Sequence, residues 1–277
     1  MNRNRRAQLG NETVAIAQQG WYETAAGRVD IAKQLQSCVE NTALFTPADL
    51  DELVDAIPQG SRQTKIEVPN ETTLSAARRL VVDGGHANTL CLNFASAKKP
   101  GGGFLSGAQA QEESLARASA LYASLITQTG YYETNRGCGT ALYTDHMILS
   151  PDVPIFRDDD GDLLAEPYLL SIATAPAVNA GAVLKNEPDK QSMIRPAMAA
   201  RIAKLLALAA HRGYEHLVLG AWGCGVFRND PAEIARLFAE ALLRDGPFAG
   251  RFSRVVFAVF TRDERIIEPF RTQFEGE

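Results

Sequence analysis

Sulfur and imidazole are scarce in this sequence. Its 277 residues include four cysteines and four histidines. Cys38, Cys91, Cys138 and Cys224 stand far apart, with no Cys-x-x-Cys pair and no zinc-ligand spacing towards a histidine. A disulfide framework and a structural zinc site are excluded on these grounds, and free thiols in a reducing, cytoplasmic setting are expected. Positive charge is also short: 28 Lys and Arg against 33 Asp and Glu leave a net charge of −5. That balance argues against sequence-independent nucleic-acid binding, which needs a basic face. No apolar stretch approaches the ~18 residues of a membrane span, and Arg3, Arg5 and Arg6 are followed by no apolar signal core. Neither a solenoid repeat nor a low-complexity tract is present.

What remains is globular material, 45% hydrophobic and 22% charged, with enough apolar residues for a sizeable core. Residues 1–64 read as a helical N-terminal accessory region: a short helix over 11–19 ended by Gly20, helical spacing over 29–39 (Ile31, Leu35, Val39), and Thr46 as N-cap with Pro47 at N1. A linker-like run over 57–61 leads into a strand at 65–68 stopped by Pro69. From there to residue 277, strands and helices alternate. Strands are expected at 88–95, 147–150, 169–173, 216–220 and 255–260, and helices at 73–82, 111–125, 196–212 and 231–244. The alternation implies an α/β domain with helices on both faces of a central sheet. Met198, Ile202, Leu205, Leu206 and Ala209 form one apolar stripe, which core packing explains fully.

Two strand ends run into glycine-rich turns that feed helices. In the first, Asn93, Phe94, Ala95 and Ser96 precede Gly101, Gly102 and Gly103, and after seven residues Gln111, Glu112 and Glu113 open a helix. Three successive glycines let backbone approach a ligand with no Cβ in the way. In the second, Gly220 leads through Gly223, Cys224, Gly225, Val226 and Phe227 to an N-cap at Asn229 or Asp230, with Pro231 at N1. Its amides and helix N-terminus suit an anion such as a diphosphate. Neither loop carries a P-loop, and Arg228 stands where a dinucleotide fingerprint needs its third glycine. Each turn alone is equally compatible with a plain tight connection. Two in one sheet favour a ligand, because open α/β folds bind in the crevice beyond their strand C-termini.

Acidic residues in a first helical turn interact favourably with the macrodipole, which is the bland account of Glu112 and Glu113. The costly glycine triplet ahead of them favours a chemical one. Other candidates carry less. Ser106 misses the Gly-x-Ser-x-Gly elbow and has no histidine placed for a triad. His211 and His216 suit capping or core roles, and Cys224 suits a small filler of its loop. The run Asp158, Asp159, Asp160, Gly161, Asp162 lacks the closing Glu of a calcium loop and reads as a solvated turn. Tyr122, Tyr131 and Tyr132 suit aromatic packing.

The glycine triplet followed after seven residues by Gln111, Glu112 and Glu113 resembles the signature of the poly(ADP-ribose) glycohydrolases, specifically their smaller bacterial type. Asn93 to Ser96 resembles the Asn-x-Ala-Asn stretch of macrodomains, with Ser96 departing from the usual Asn, and residues 223–227 are similar to their diphosphate loop. The resemblance covers roughly 65–277. It implies a macrodomain-like three-layer α/β/α fold with a mixed central sheet, and ligands that are poly(ADP-ribose) and ADP-ribose, with ADP-ribosylated proteins as substrate carriers in the reversal of ADP-ribosylation in the DNA damage response. It further implies Glu113 as catalytic acid and Glu112 as ribose-hydroxyl ligand. Asn93, Ser96, Gly101, Gly102, Gly103 and Gln111 would surround the ribose, Gly223, Cys224, Gly225 and Val226 would hold the diphosphate, Phe227 would cover the ribose, and Phe260 would meet adenine. No metal and no cofactor is implied.

That chemistry fits these residue types. Cleaving a ribose–ribose glycosidic bond passes through an oxocarbenium-like state, so the leaving oxygen needs a proton and the cationic sugar needs nearby negative charge. Two alternatives share the same cleft: a non-catalytic ADP-ribose reader and a hydrolase acting on mono-ADP-ribosylated proteins.

Overall fold

The computed structural model describes residues 1–57 and 60–275. Pro58 and Gln59 of the expected linker lie outside the described residues, as do Gly276 and Glu277. The chain runs α1 (Arg3–Gln19), β1 (Trp21–Thr24), β2 (Gly27–Asp30), α2 (Ala32–Asn41), β3 (Ala43–Phe45), α3 (Pro47–Asp55), β4 (Lys65–Glu67), α4 (Thr73–Arg78), β5 (Thr89–Phe94), α5 (Gln111–Ala118), α6 (Leu121–Leu125) and α7 (Thr129–Gly137). Then follow β6 (Met147–Arg157), β7 (Leu163–Ala175), α8 (Ala180–Asn186), α9 (Ile194–His211), β8 (His216–Leu219), α10 (Pro231–Leu242), β9 (Arg254–Phe257) and α11 (Glu264–Phe274). Seven strands form one mixed sheet in the order β3-β6-β7-β5-β8-β9-β4. The β3, β6 and β7 pairings are antiparallel, and those from β7 through β5, β8 and β9 to β4 are parallel.

The layers follow from strand periodicity. Successive side chains leave a strand on opposite faces, so Leu90 and Leu92, Leu217 and Leu219, and Val255 and Phe257 enter one core beneath α9, α10 and α11. Their neighbours Cys91, Val218 and Val256 enter the other, beneath α1, α4, α5 and α6. A sheet covered on both faces is the three-layer architecture the sequence implies.

This layering creates the crevice. β5 and β8 are parallel neighbours, yet β5 leads to α5 on one face while β8 leads to α10 on the other. The two connections diverge at the strand C-termini, which is the topological switch point where open α/β sheets bind ligands.

Several elements depart from the sequence reading. The first helix starts at Arg3, with Asn2 Oδ1 accepting from Arg5 N at 2.9 Å. Val29 is not helical but belongs to a β1–β2 hairpin turned at Gly27, whose φ is +115°. The expected helix over 111–125 breaks into α5 and α6, because Ser119 is extended (φ −147°, ψ 173°) and bridges Ile155. β6 and β7 run 11 and 13 residues, far beyond their apolar cores, because each supplies the other's hydrogen bonds. β9 stops at Phe257, so Phe260 lies past the strand end. The Thr46 N-cap is present as a full capping box with Asp49. The N-terminal residues also supply β3, which pairs with β6 at the edge of the main sheet.

Candidate active site

The glycine loop is tied to the end of β5 by α5's first residue. Gln111 Oε1 accepts from Phe94 N at 2.8 Å, and its Nε2 donates to Leu92 O at 2.7 Å. Its amide is thus occupied with backbone, which makes Gln111 a positioning residue at the cleft wall. Between β5 and α5, Gly101 and Gly102 adopt φ of +65° and +58°, a region costly for residues with a Cβ. Space is as restrictive as conformation. A Cβ on Gly101 would lie 2.9 Å from the Phe104 ring, one on Gly103 would lie 2.9 Å from Ala108 Cβ, and one on Gly102 would overlap Glu113 Oε1 and lie 3.0 Å from Glu112 Oε2. The glycine triplet is therefore pressed against both carboxylates.

The two glutamates occupy opposite environments. Glu112 is only 3% exposed; its Oε2 accepts from Ser96 N at 2.7 Å, and Asn93 Nδ2 stands 3.4 Å from Oε1. Burial pushes the Glu112 carboxyl up to about 8, the Glu113 charge adds to the rise, and the Ser96 N–H opposes it. Glu113 is half-buried, and its Oε1 accepts from Gly103 N at 2.9 Å. Asn93 is wholly buried, bonded to Thr174 Oγ1 at 3.1 Å, so it reaches Glu112 rather than the cleft. Ser96 contributes its backbone N–H to Glu112, while its Oγ accepts from Lys98 N at 3.3 Å and Lys99 N at 3.2 Å.

The second loop follows β8. Gly220 packs tightly, since a Cβ there would lie 2.6 Å from Ala258 O and 3.0 Å from the Phe94 ring. Gly223, at φ +75°, would place a Cβ 2.5 Å from Asn229 Nδ2, and that amide donates to Val178 O at 2.7 Å and Gly223 O at 3.2 Å. Asn229 is the internal strut of the loop, and the helix cap is Asp230, which accepts from Ala232 N at 3.0 Å. Beyond this anchored base Gly225 and Val226 are exposed, Val226 to 84%. Burial raises the Cys224 thiol, which excludes a resting thiolate nucleophile. Phe227 is half-buried, 6.1 Å from the Tyr143 ring.

Phe94, Gln111, Cys224, Gly225 and Phe260 share the wall of one cavity of about 940 Å³. The end of β5, the start of α5 and the second loop thus border one cavity, whose wall does not include Gly101, Gly102, Gly103, Glu112 or Glu113. Phe260 is 76% exposed, an apolar surface with nothing over it. Of the remaining candidates, Asp158, Asp159, Asp160 and Gly161 line the same cavity and Ser106 Oγ bonds Gly103 O at 2.9 Å, whereas His211 Nε2 lies 3.0 Å from Leu53 O, His216 stacks on His86 at 4.1 Å, and Tyr131 and Tyr132 are buried. Asp158 closes its own turn by accepting from Asp160 N and Asp162 N at 3.0 and 2.9 Å. Among the described residues no group of three or more His, Cys, Asp or Glu could hold a metal ion, and no helix is long and apolar enough to cross a membrane.

Sequence reasoning missed an arginine clamp on the segment between the glycine loop and α5. Arg3 Nε donates to Ser106 O at 3.0 Å, Arg6 Nε to Gly107 O at 2.8 Å, and Arg117 Nη1 to Ala108 O at 2.9 Å. Helix α1 so holds the segment between the glycines and α5. The only local signal was a cluster of N-terminal arginines, which reads equally as a solvated tail.

A mixed sheet between helical layers, with a crevice at its switch point and a carboxylate pair against a glycine loop, defines a macrodomain-like protein. Comparison with known proteins agrees. A family model for the microbial-type poly(ADP-ribose) glycohydrolase (PARG) catalytic domain matches residues 10–158, and the chain belongs to this family. The crystal structure of a poly(ADP-ribose) glycohydrolase from Thermomonospora curvata is 47% identical, with a TM-score of 0.94 over 98% of this chain and 100% of that one. The same enzyme bound to the inhibitor ADP-HPD is 47% identical, with a TM-score of 0.90 over 99% of each chain. A poly(ADP-ribose) glycohydrolase from Deinococcus radiodurans in complex with ADP-ribose is 48% identical, with a TM-score of 0.82 over 87% of this chain and 97% of that one. No curated protein sequence matches the chain.

Proposed function

We propose that this protein hydrolyses the ribose–ribose O-glycosidic bonds of poly(ADP-ribose), releasing ADP-ribose. The observation that carries the reading is the division of labour between the paired glutamates: Glu112 is sealed at 3% exposure while Glu113, beside it in the first turn of α5, keeps access to solvent. Only Glu113 can meet a leaving oxygen. Glu112, whose carboxyl burial pushes up to about 8, shapes the loop by accepting from Ser96 N.

In this mechanism the protonated Glu113 carboxyl donates its proton to the bridging oxygen as the anomeric C–O bond breaks. The positive charge that develops on the ribose is offset by the carboxylate left behind. Water then adds to the anomeric carbon, and the Glu113 carboxylate takes its proton, which restores the acid. The backbone N–H groups of residues 223–226 and the N-terminus of α10 bind the diphosphate and fix the sugar's position. Phe227 covers the ribose and Phe260 receives adenine. Residues 65–277 carry the chemistry, with 1–64 as an accessory layer, in a cytoplasmic enzyme that removes polymer from ADP-ribosylated proteins after DNA damage.

Incubation with poly(ADP-ribose) tests the reading. A hydrolase shortens the polymer and releases ADP-ribose; a reader retains it intact, and that result would overturn the proposal. A mono-ADP-ribosylated protein offered in parallel identifies which bond is attacked.

A further inference from the structure

The cavity ends at the anion loop, and beyond it stands a group of side chains that the reaction as described does not use. The cavity wall includes Cys224 and Gly225 but neither Phe227 nor Tyr143. Tyr143 lies past the far end of that loop, its ring 6.1 Å from Phe227 on one side and 5.9 Å from Lys98 Nζ on the other. Arg136 Nη1 donates to Lys98 O at 2.9 Å, and Lys99 O accepts from Gly102 N at 3.0 Å. This group therefore links the glycine loop to the anion loop across the mouth of the crevice.

Two features set it apart. Tyr143 has a φ of +57°, a conformation that a bulky residue adopts only when its surroundings impose it. Lys98, Lys99 and Arg136 are exposed and form no ion pair among the described residues, in a chain whose net charge is −5. Lys98 over the Tyr143 ring, with Arg136 bonded to the Lys98 carbonyl and Lys99 next in sequence, matches a group that combines a phosphate with a flat ring or sugar.

The geometry points to a second polymer subsite here: Lys98 and Arg136 take the diphosphate of the ADP-ribose unit on the leaving side of the scissile bond, and Tyr143 packs against its ribose or base. The inference rests on the proposed activity, because it follows the substrate outward from Glu113. With one ADP-ribose unit in the cavity and its diphosphate at the anion loop, as proposed above, the neighbouring unit leaves past Phe227 and meets this cationic rim. The subsite adds affinity for polymer and none for a single unit.

Binding in a Glu113→Gln background, which removes turnover, tests it directly. Calorimetry with an ADP-ribose oligomer of two or more units should give tighter binding than free ADP-ribose. Lys98→Met should weaken oligomer binding about 5-fold, and Lys98→Glu, which reverses the charge, by more than ~10-fold. The affinity for ADP-ribose should stay within about two-fold, which also shows that both variants are folded. Lys98→Arg should restore oligomer affinity, and the oligomer's advantage should shrink as salt rises. Equal binding of oligomer and monomer in the parent, or parallel weakening of both in the Lys98 variants, would overturn the subsite. Failure of the unmutated protein to release ADP-ribose from polymer is a separate readout and strikes the proposed activity.

Discussion

Glu113 and Gly102 compete for the same space: a Cβ on residue 102 would overlap the Glu113 carboxylate, and the backbone there has a φ of +58°. The Glu113 carboxyl is seated against a position that only glycine can fill. Gly102→Ala is expected to displace Glu113 and to cost about 1–2 kcal/mol of stability from the left-handed backbone. Turnover should fall at least ~10-fold while the thermal midpoint drops by several degrees. Steady-state polymer hydrolysis and calorimetric melting check the two effects, and an alanine variant with normal kinetics would refute the tight seating.

Glu113→Gln keeps the shape of the side chain and its contact with Gly103 N but removes the acid. A loss of at least ~10² in turnover is expected, with ADP-ribose affinity retained. Near-full activity would take Glu113 out of the proton-transfer role.

Burial raises Glu112 from an ordinary carboxyl value of 4.5 to about 8. Because the folded state holds this proton more tightly than the unfolded chain, its contribution to stability is fully present below pH 4.5 and is lost as pH rises towards 8. Glu112→Gln cannot ionise, so its stability relative to the parent should improve steadily between those limits and level off above them. Denaturant unfolding at several pH values measures the difference; a constant offset across the range would contradict it.

Phe260 offers an exposed ring at the cavity and supports no packing of its own, being 76% exposed. Phe260→Ala should leave stability within about 0.5 kcal/mol and weaken ADP-ribose binding by roughly 10-fold, the scale of one lost base–aromatic contact. If affinity is unchanged, adenine lies elsewhere.

The reaction as drawn takes its proton from a carboxyl and its orientation from a diphosphate held by backbone amides. Activity is therefore expected to survive EDTA. Loss of turnover in chelator with recovery on adding a divalent cation would require a different mechanism.

Much of the fold was legible because it is written in short-range patterns. The apolar run Leu90, Cys91, Leu92 announces a strand buried on both faces, and Thr46 with Pro47 announces a helix start. What was not legible depended on distant partners. Ser119 interrupts an apolar helical pattern because Ile155 claims it, and Val29 is extended because Tyr22 lies opposite it.

The site divides in the same way. The sequence by itself determined the chemical ingredients: a glycine triplet, the Gln111, Glu112, Glu113 run at a fixed distance, and a second glycine loop before a capped helix. Only the tertiary structure decided which glutamate meets solvent, that Gln111 and Asn93 are turned inward to hold β5 and Glu112, and that α1 clamps the segment between the glycine loop and α5 through Arg3 and Arg6. The physical reason is that motif spacing is set by local backbone geometry, whereas burial and its effect on a carboxyl's proton arise from residues up to about a hundred positions apart, brought together when the two cores close on the sheet.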